Sequence, residues 1–475
     1  MIKKSLFLIL SLVAGLAMAQ TEPVSQPSSL NFSSIKTYRV SVSFSSAGAG
    51  GHLVVMSKNP ITFMPLDNTA YLKGQVINGV KVVSVGAGTF TFFKNLLQNN
   101  LYHIAVFAYN EQGVNINYKS DNPLTGSVTT ASASFGNYYN GIDFNSSNLV
   151  SNLTSLIQAH TMIDYGQFDE TIIANFYEAD TIVGGITQKY IICQYSGEHK
   201  VYTGPFSYQG STPYYSREHR VAKSWYDFTG LGGSITGVPE GNDIHSLELV
   251  QNDVNSSRSN NPFGEVTGNP WSNSYLEFII GKDYRDILVV EPMENRKGDV
   301  ARAHFYMMLA YNGKYGQNWG LDNMLTLSQS QEMQVLLDWH YNDPPDDFEK
   351  TRHEFVYEIQ GNRNPLIDFP QLVDCMDFRD VSKQASCDVN VGIATNLANE
   401  FGTFIYPNPS TGILYMQDAK AKDVKAIHIF NMLGVEQSNF SLENDSINVE
   451  QLNKGLYIIS IETNKKNYIS KFQLK

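Results

Sequence analysis

Three short runs hold most of the side chains that could hydrolyse a phosphodiester. They are Ser216-Arg217-Glu218-His219, Asn242-Asp243-Ile244-His245 and Asp253-Val254-Asn255-Ser256-Ser257-Arg258-Ser259-Asn260, all within a polar stretch from 214 to 265. The reaction needs these parts. A neutral imidazole deprotonates a water, an oxygen-liganded divalent cation offsets charge on the leaving oxygen, and guanidinium groups hold phosphate. Carboxylate and carboxamide oxygens suit Mg²⁺, which keeps most of its waters. Each residue alone has a blander reading. An isolated histidine is more often structural than catalytic, an Asn-Ser run is a turn, and a lone arginine is a surface charge. Their concentration carries the functional reading. Glu218 and His219 are adjacent and would face opposite sides of a strand, so bringing both to one site requires a bend. Other hydrolase patterns fail. Gly232-Gly233-Ser234 continues as Ile235-Thr236, so G-x-S-x-G does not occur, and His353-Glu354 lacks the second histidine of H-E-x-x-H.

The elements that must position these residues fall in three stretches of different texture. From 23 to 131, Val40, Val42 and Phe44 alternate with polar neighbours. Tyr102, Ile104, Val106 and Ala108 do so again, with Gly and Asn between the runs. This predicts an all-β sandwich, and the run Tyr102 to Asn110 resembles a late strand of a fibronectin type III domain. Gly48-Ala49-Gly50-Gly51 reads as a turn. From 132 to 385 helical periods appear: Leu149, Val150, Leu153, Leu156 and Ile157 form one stripe. Val300 to Tyr311 and Met333 to His340 form others, the last stopping before Pro344-Pro345. From 402 to 475 strands return, with Ile427 and Ile429, then Tyr457, Ile459 and Ile461. Residues 386–401 read as a linker. Residues 1–19 read as a secretory signal peptide, with Lys3 and Lys4, an apolar run from Leu6 to Leu16, and Ala17-Met18-Ala19 before Gln20. No later segment is apolar enough to span a bilayer. Of three cysteines, Cys375 and Cys387 are placed to pair and Cys193 reads as a free buried thiol.

The central motifs resemble the endonuclease I family of His-Me finger (ββα-metal) nucleases. That family's Arg-Glu-His followed by Ser-Trp corresponds to Arg217-Glu218-His219 and Ser224-Trp225. Its Asp-x-His-x-Leu corresponds to Asp243, His245 and Leu247, and its Val-Asn-x-x-Arg-Ser-Asn to Val254 through Asn260. Tyr195 to Glu198, Tyr202-Thr203-Gly204, Lys297 to Ala303, Leu337 to His340 and Tyr357 to Pro365 extend the match over about 250 residues, in order. The resemblance implies a helix-rich α+β catalytic domain. It implies His219 as general base, Glu218 and Asn255 as ligands of Mg²⁺ or another divalent cation, and weaker phosphate or loop-ordering roles for Arg217, Arg258 and His245. The chain departs from the pattern at Arg220-Val221-Ala222, where the family has Trp-Pro, and at Ser246, where many members have a second histidine. Lys297 to Ala303 and Tyr357 to Pro365 read first as fold-stabilising. Tyr406 to Pro409, Phe430 to Gly434, and Leu452 to Tyr457 with Lys471 resemble the sorting domain of type IX-secreted proteins. That implies passage through the type IX machinery, loss of the tail, and release or surface attachment.

The expected function is thus a secreted, sequence-nonspecific endonuclease cutting DNA, with RNA open as a second substrate. The alternative is a surface-displayed adhesion protein on a degenerate nuclease scaffold. Charge argues against a tight, passive nucleic-acid binder. The chain carries 34 basic and 46 acidic residues, net −12. Residues 1–131 hold 9 basic and 4 acidic, net +5, whereas residues 132–385 are net −16. Within 214–265, Arg217, Arg220, Lys223 and Arg258 are expected to provide local positive charge. The acidic balance implies weak binding with steep loss in salt.

Overall fold

The computed structural model describes residues 21–475 apart from 113–114, 204–214, 226–236, 272–273, 315–318, 322–330, 385–399, 402–404, 417–423, 432–435, 438–439, 444–445 and 464–466. The expected signal peptide, most of the expected linker, and Cys387 lie outside the described residues.

Among the described residues nine strands come first: β1 (Ser28–Ser33), β2 (Val40–Ser45), β3 (Gly51–Ser57), β4 (Val76–Ile77), β5 (Val80–Gly86), β6 (Phe90–Phe93), β7 (Leu101–Gln112), β8 (Asn115–Tyr118) and β9 (Leu124–Thr129). One sheet has the order β1-β2-β6 and the other β4-β5-β3-β7-β8, with β9 pairing further along β7. This is the fibronectin type III arrangement. Val40, Val42, Phe93, Ile104 and Val106 fill the space between the sheets. Leu53, Val55, Phe107 and Tyr109 point from the other face of the larger sheet, where Ile61, Phe63 and Tyr71 cover them. Two covered faces explain the nearly unbroken apolar run of β7.

The next stretch packs on the sandwich within one compact unit. Helix α1 (Leu149–Gln158) is followed by the meander β10 (Ala179–Val183), β11 (Ile186–Ile192) and β12 (His199–Tyr202). Strand β13 (Tyr215–His219), helix α2 (Pro239–Asn242), strand β14 (Leu247–Gln251) and helix α3 (Asn252–Arg258) come next. β13 and β14 pair antiparallel, and α3 leaves the end of β14 directly, so the three form a ββα unit. After the hairpin β15 (Ile279–Lys282) and β16 (Leu288–Glu291) come α4 (Lys297–Tyr311), α5 (Met333–Asn342), α6 (Asp347–Gln360), α7 (Pro365–Asp368) and the short pair β17 (Met376–Asp377) and β18 (Ser382–Lys383).

Helix α4 is buried along its whole length and packs against α1, α5 and α7. A central helix is apolar all round unless its charges are paired. Here Arg302 donates to Glu349 at 2.8 Å and to the Asp343 carbonyl at 2.7 Å, and His304 Nδ1 hydrogen-bonds the Val300 carbonyl at 2.8 Å. Gly298 is required because a Cβ there would sit 1.9 Å from the Asp343 carbonyl oxygen. Helix α5 ends at Asn342, before Pro344-Pro345 as expected, and α6 starts after them. The Asp346 side chain caps it by accepting from the Glu349 amide at 2.7 Å, and Gly361 ends it with φ 82°.

Sandwich and catalytic region share a polar and aromatic junction. Tyr38 donates to Glu358 at 3.0 Å, the Gln98 amide to Thr351 at 2.9 Å, and Asn95 to the Phe176 carbonyl at 2.8 Å. The Tyr38 ring meets Phe355 edge-on at 4.8 Å. Cys193 is free and buried, and Cys375 is disulfide-bonded.

A second compact unit spans residues 390–475. Its strands are β19 (Glu400–Phe401), β20 (Ile405–Tyr406), β21 (Ile413–Met416), β22 (Val424–Asn431), β23 (Glu436–Gln437), β24 (Leu442–Glu443), β25 (Ser446–Asn448), β26 (Gly455–Thr463) and β27 (Asn467–Leu474). They form two sheets, β19-β27-β26-β22-β23 and β20-β21-β25-β24, around Leu414, Ile429, Ile447, Ile459 and Phe472. Asn408 ties the Pro-rich turn to β27, donating to the Lys471 carbonyl at 2.9 Å and accepting from the Gln473 amide at 3.0 Å. Among the described residues no helix is long and apolar enough to cross a membrane.

Candidate active site

The ββα unit brings the two main motifs together. Strand β13 is held against β14 with Glu218 opposite Glu248 and His219 opposite Leu247. The strand stops at His219 and the chain bends through Arg220, whose amide donates to the Ser246 carbonyl at 3.1 Å. Glu218 and His219 both lie within β13, so the bend comes after His219 and not between the two as expected. Both line one open pocket of about 440 Å³ with Tyr165, Arg217, Asn255 and Arg258. Asn255 and Arg258 are three apart on α3 and so share a helix face, while Val254 anchors the helix in the core.

The His219 ring is fixed on two sides. Nε2 hydrogen-bonds the Gly241 carbonyl of α2 at 2.9 Å, and a carbonyl only accepts, so Nε2 carries the proton and Nδ1 the lone pair. Tyr165 stacks on the imidazole with ring centroids 5.7 Å apart and 13° between planes. Burial pushes the His219 pKa down to about 4, opposed by the Gly241 bond. The ring is therefore neutral at physiological pH, as a proton acceptor must be. Arg217 lies over the same tyrosine ring: its guanidinium carbon is 4.1 Å from the Tyr165 ring centroid, and the Tyr165 hydroxyl donates to the Arg217 carbonyl at 3.2 Å.

Glu218 is buried, and burial pushes its pKa up to about 7 although Arg258 opposes the rise. Arg258 Nη1 donates to Glu218 Oε1 at 2.9 Å and to the His219 carbonyl at 3.1 Å, and Nη2 donates to the Arg220 carbonyl at 2.8 Å. Its guanidinium carbon is 4.8 Å from the Phe263 ring centroid and 5.8 Å from that of Trp225. Arg258 thus pins the end of β13 from behind. The donor set fits a divalent cation. Among the described residues neither Glu218 Oε2 nor the Asn255 carboxamide is committed to another side chain. Two oxygen donors completed by water suit Mg²⁺. Among the described residues no three His, Cys, Asp or Glu side chains are grouped so as to hold a metal.

His245 does not reach this pocket, which corrects the phosphate-contact alternative for it. It is buried, with Nε2 3.2 Å from the Asn362 carbonyl. Its partner in the motif, Asp243, accepts from Tyr306 and Tyr311 at 2.7 Å and from Gln360 at 2.8 Å. The Asp-x-His run is a core hub that positions the entry to β14. Ser246 is likewise buried outside the pocket. Three of the four expected local cations are also engaged internally, Arg220 by Glu248, Arg258 by Glu218 and Arg217 by the Tyr165 carbonyl. Arg217 and Lys223 line the pocket. The fold-stabilising reading of Tyr357 to Pro365 matches the burial of Asn362, Arg363 and Asn364. Tyr165 and the Gly241 carbonyl were not singled out by the sequence. Tyr165 lies more than fifty residues upstream of His219 with no spacing signal, and any backbone carbonyl is invisible to residue type.

A ββα unit presenting histidine, carboxylate and carboxamide to one open pocket defines a nuclease of the His-Me finger class. The Endonuclease I family profile matches residues 145–371, and that of the secretion system C-terminal sorting domain matches residues 404–475. The extracellular ribonuclease of Bacillus subtilis (strain 168) is 33% identical over 245 residues, 50% of this chain and 77% of the relative. The periplasmic deoxyribonuclease of Aeromonas hydrophila is 29% identical over 126 residues, 26% of this chain and 47% of the relative. The solution structure of the fibronectin type-III domain of human fibronectin type III domain containing protein 3 matches 25% of this chain and 96% of its own, at 20% identity and a TM-score of 0.18. The chain belongs to the endonuclease I family. It is a nuclease, metal-dependent as that family is, and a secreted or cell-surface protein.

Proposed function

We propose that the chain is a Mg²⁺-dependent, sequence-nonspecific endonuclease that hydrolyses DNA and RNA in the pocket at the end of β13. The reading rests on one observation: His219, Glu218 and Asn255 line the same open pocket. His219 Nδ1 takes the proton of the attacking water, while the Gly241 carbonyl and Tyr165 hold the ring in the tautomer and orientation for it. Glu218 and Asn255 hold the cation through side-chain oxygens, and Arg258 orients Glu218. When bound, Mg²⁺ supplies positive charge against the scissile phosphate and the leaving oxygen. Arg217, beside the base, contacts phosphate. Contacts to the phosphate backbone carry no sequence information, which accounts for nonspecific cutting.

Calorimetric Mg²⁺ titration of Glu218→Gln and Asn255→Ala tests the ligand assignment. Both variants are expected to lose metal affinity and nuclease activity together. Wild-type metal affinity in both would remove these residues as ligands. The proposed domains are a signal peptide (1–19), the sandwich (23–131), the catalytic region (132–385), a linker (386–401) and the sorting tail (402–475). Export would remove the first and last. The intact mass of secreted protein is expected to lack both, and full-length secreted chain would contradict this.

A further inference from the structure

The surface around the sandwich junction has charge and aromatic features that the pocket chemistry does not use. In β6 the alternation places Phe93 in the core and leaves Phe90 and Phe92 on the outer face, 57% and 55% exposed. Their rings lie 6.1 Å apart. Next to Phe92 a small cleft opens between the sandwich and β10, lined by Lys73, Lys81, Lys94 and Asn95, with Asp180 the only acid among the described lining residues. Lys73 pairs with Asp180 at 3.1 Å, and Lys94 with Glu178 at 3.3 Å. The Lys81 side chain makes no ion pair or hydrogen bond among the described residues. Burial holds its pKa below the usual lysine range, opposed by Asp180. A partly desolvated ammonium without a partner is unfavourable, and an anion in the cleft removes that penalty.

Charge complementarity selects the occupant. The described sandwich residues 21–131 hold 7 basic and 4 acidic side chains, net +3, beside a catalytic region of net −16. Among the described residues of that region, buried acids number 8 and buried bases 7, so pairing in the interior leaves the acidic excess on its surface. The polyanionic substrate therefore finds its favourable field on the sandwich. Exposed aromatic rings beside ammonium groups are the elements of sequence-tolerant single-strand recognition, because every base has a face to stack.

We propose that the junction cleft and the outer face of β6 form an accessory nucleic-acid site, in which Lys73, Lys81 and Lys94 meet backbone phosphates and Phe90 and Phe92 stack on bases of a single-stranded stretch. The site is separate from the pocket at the end of β13. It retains substrate on an enzyme whose catalytic surface repels it.

Fluorescence anisotropy of a short labelled single-stranded oligonucleotide, with the full chain in EDTA to prevent cutting, tests this. The double variant Phe90→Ala/Phe92→Ala is expected to bind on the order of tenfold more weakly. Lys81→Ala is expected to reduce the slope of log affinity against log salt by about 0.7, the value for one lost phosphate contact on a single strand. Both variants should hydrolyse the small substrate bis(p-nitrophenyl) phosphate at the wild-type rate, since neither touches the pocket. His219→Ala should retain the binding, so loss of the accessory site and failure of the assigned base are distinguishable. Unchanged affinity in the double phenylalanine variant, or an unchanged salt slope in Lys81→Ala, would overturn the proposal. So would stronger binding of a sulfated polysaccharide than of the oligonucleotide, which would mark the surface as a glycan site.

Discussion

Replacing Arg258 with alanine separates two roles that an active-site arginine can have. In this structure the guanidinium is fully buried and donates to Glu218, to the His219 carbonyl and to the Arg220 carbonyl, at 2.9, 3.1 and 2.8 Å. Its removal leaves a buried carboxylate and two carbonyls without their donor. Breaking a buried ion pair from one side costs about 3–5 kcal/mol. Arg258→Ala should therefore destabilise the unit by about that amount, and Arg258→Lys should recover only part because one ammonium cannot reproduce a planar fork with three acceptors. Because Arg258 orients a proposed metal ligand, metal affinity should fall about 10- to 100-fold. Urea unfolding in EDTA reads the first effect, and calorimetric Mg²⁺ titration of the folded variant reads the second. If Arg258→Ala loses less than about 1 kcal/mol and binds metal as wild type, the buried-organiser argument fails. A rise in KM for nucleic acid alone would then make Arg258 a phosphate contact.

Two further outcomes follow from the same geometry. Tyr165→Ala removes the ring stacked on His219, an interaction of about 0.5–1.5 kcal/mol, so kcat should fall by up to roughly tenfold while Mg²⁺ affinity holds. Tyr165→Phe should keep most of the rate, and an equal loss in both would assign the effect to the hydroxyl. Acidification should remove the contribution of three buried histidines: burial holds His245 and His304 at about 3 and His340 at about 4, below the 6.5 of an unfolded chain, whereas Glu218 and Glu349 at about 7 and Asp343 at about 6 titrate with the opposite sign. At the histidines the unfolded state binds the extra protons, so the stability they contribute is present above about pH 6.5 and is lost as pH falls toward 4, by about 1.4 kcal/mol per pH unit for each proton taken up. The stability difference between wild type and His340→Gln should therefore shrink from pH 7 to pH 5, and a difference that stays constant would contradict this.

Much of the fold was legible because it depends on local periodicity. The alternation at Val40, Val42 and Phe44 became β2, and the stripe at Leu149, Leu153 and Ile157 became the buried face of α1. That Glu218, His219 and Asn255 belong to one site was legible through the resemblance to the endonuclease I family, whose motifs fall on β13 and α3 and line one pocket. What residue types could not tell was which polar groups face the pocket and which face the core. Asp243 and His245 look as reactive as Glu218 and His219, but Tyr306, Tyr311, Gln360 and Asn362 come from distant helices and loops to satisfy them. Arg220 illustrates the same limit: beside the base in sequence, it is turned inward by Glu248 across the ribbon. The sandwich was legible as a fold but its docking was not, because Tyr38 and Gln98 find partners on α6 about 250 or more residues away.

The central claim is that His219 is the base, and the cleavage rate of His219→Ala at saturating Mg²⁺ tests it most directly. Plasmid DNA and single-stranded RNA, digested side by side with wild type, should each be cut at least about 10²-fold more slowly, the lower range for loss of a positioned general base. Metal affinity should be unchanged, because Glu218 and Asn255 remain. A His219→Ala enzyme that binds metal normally and cuts either substrate at the wild-type rate would contradict the account.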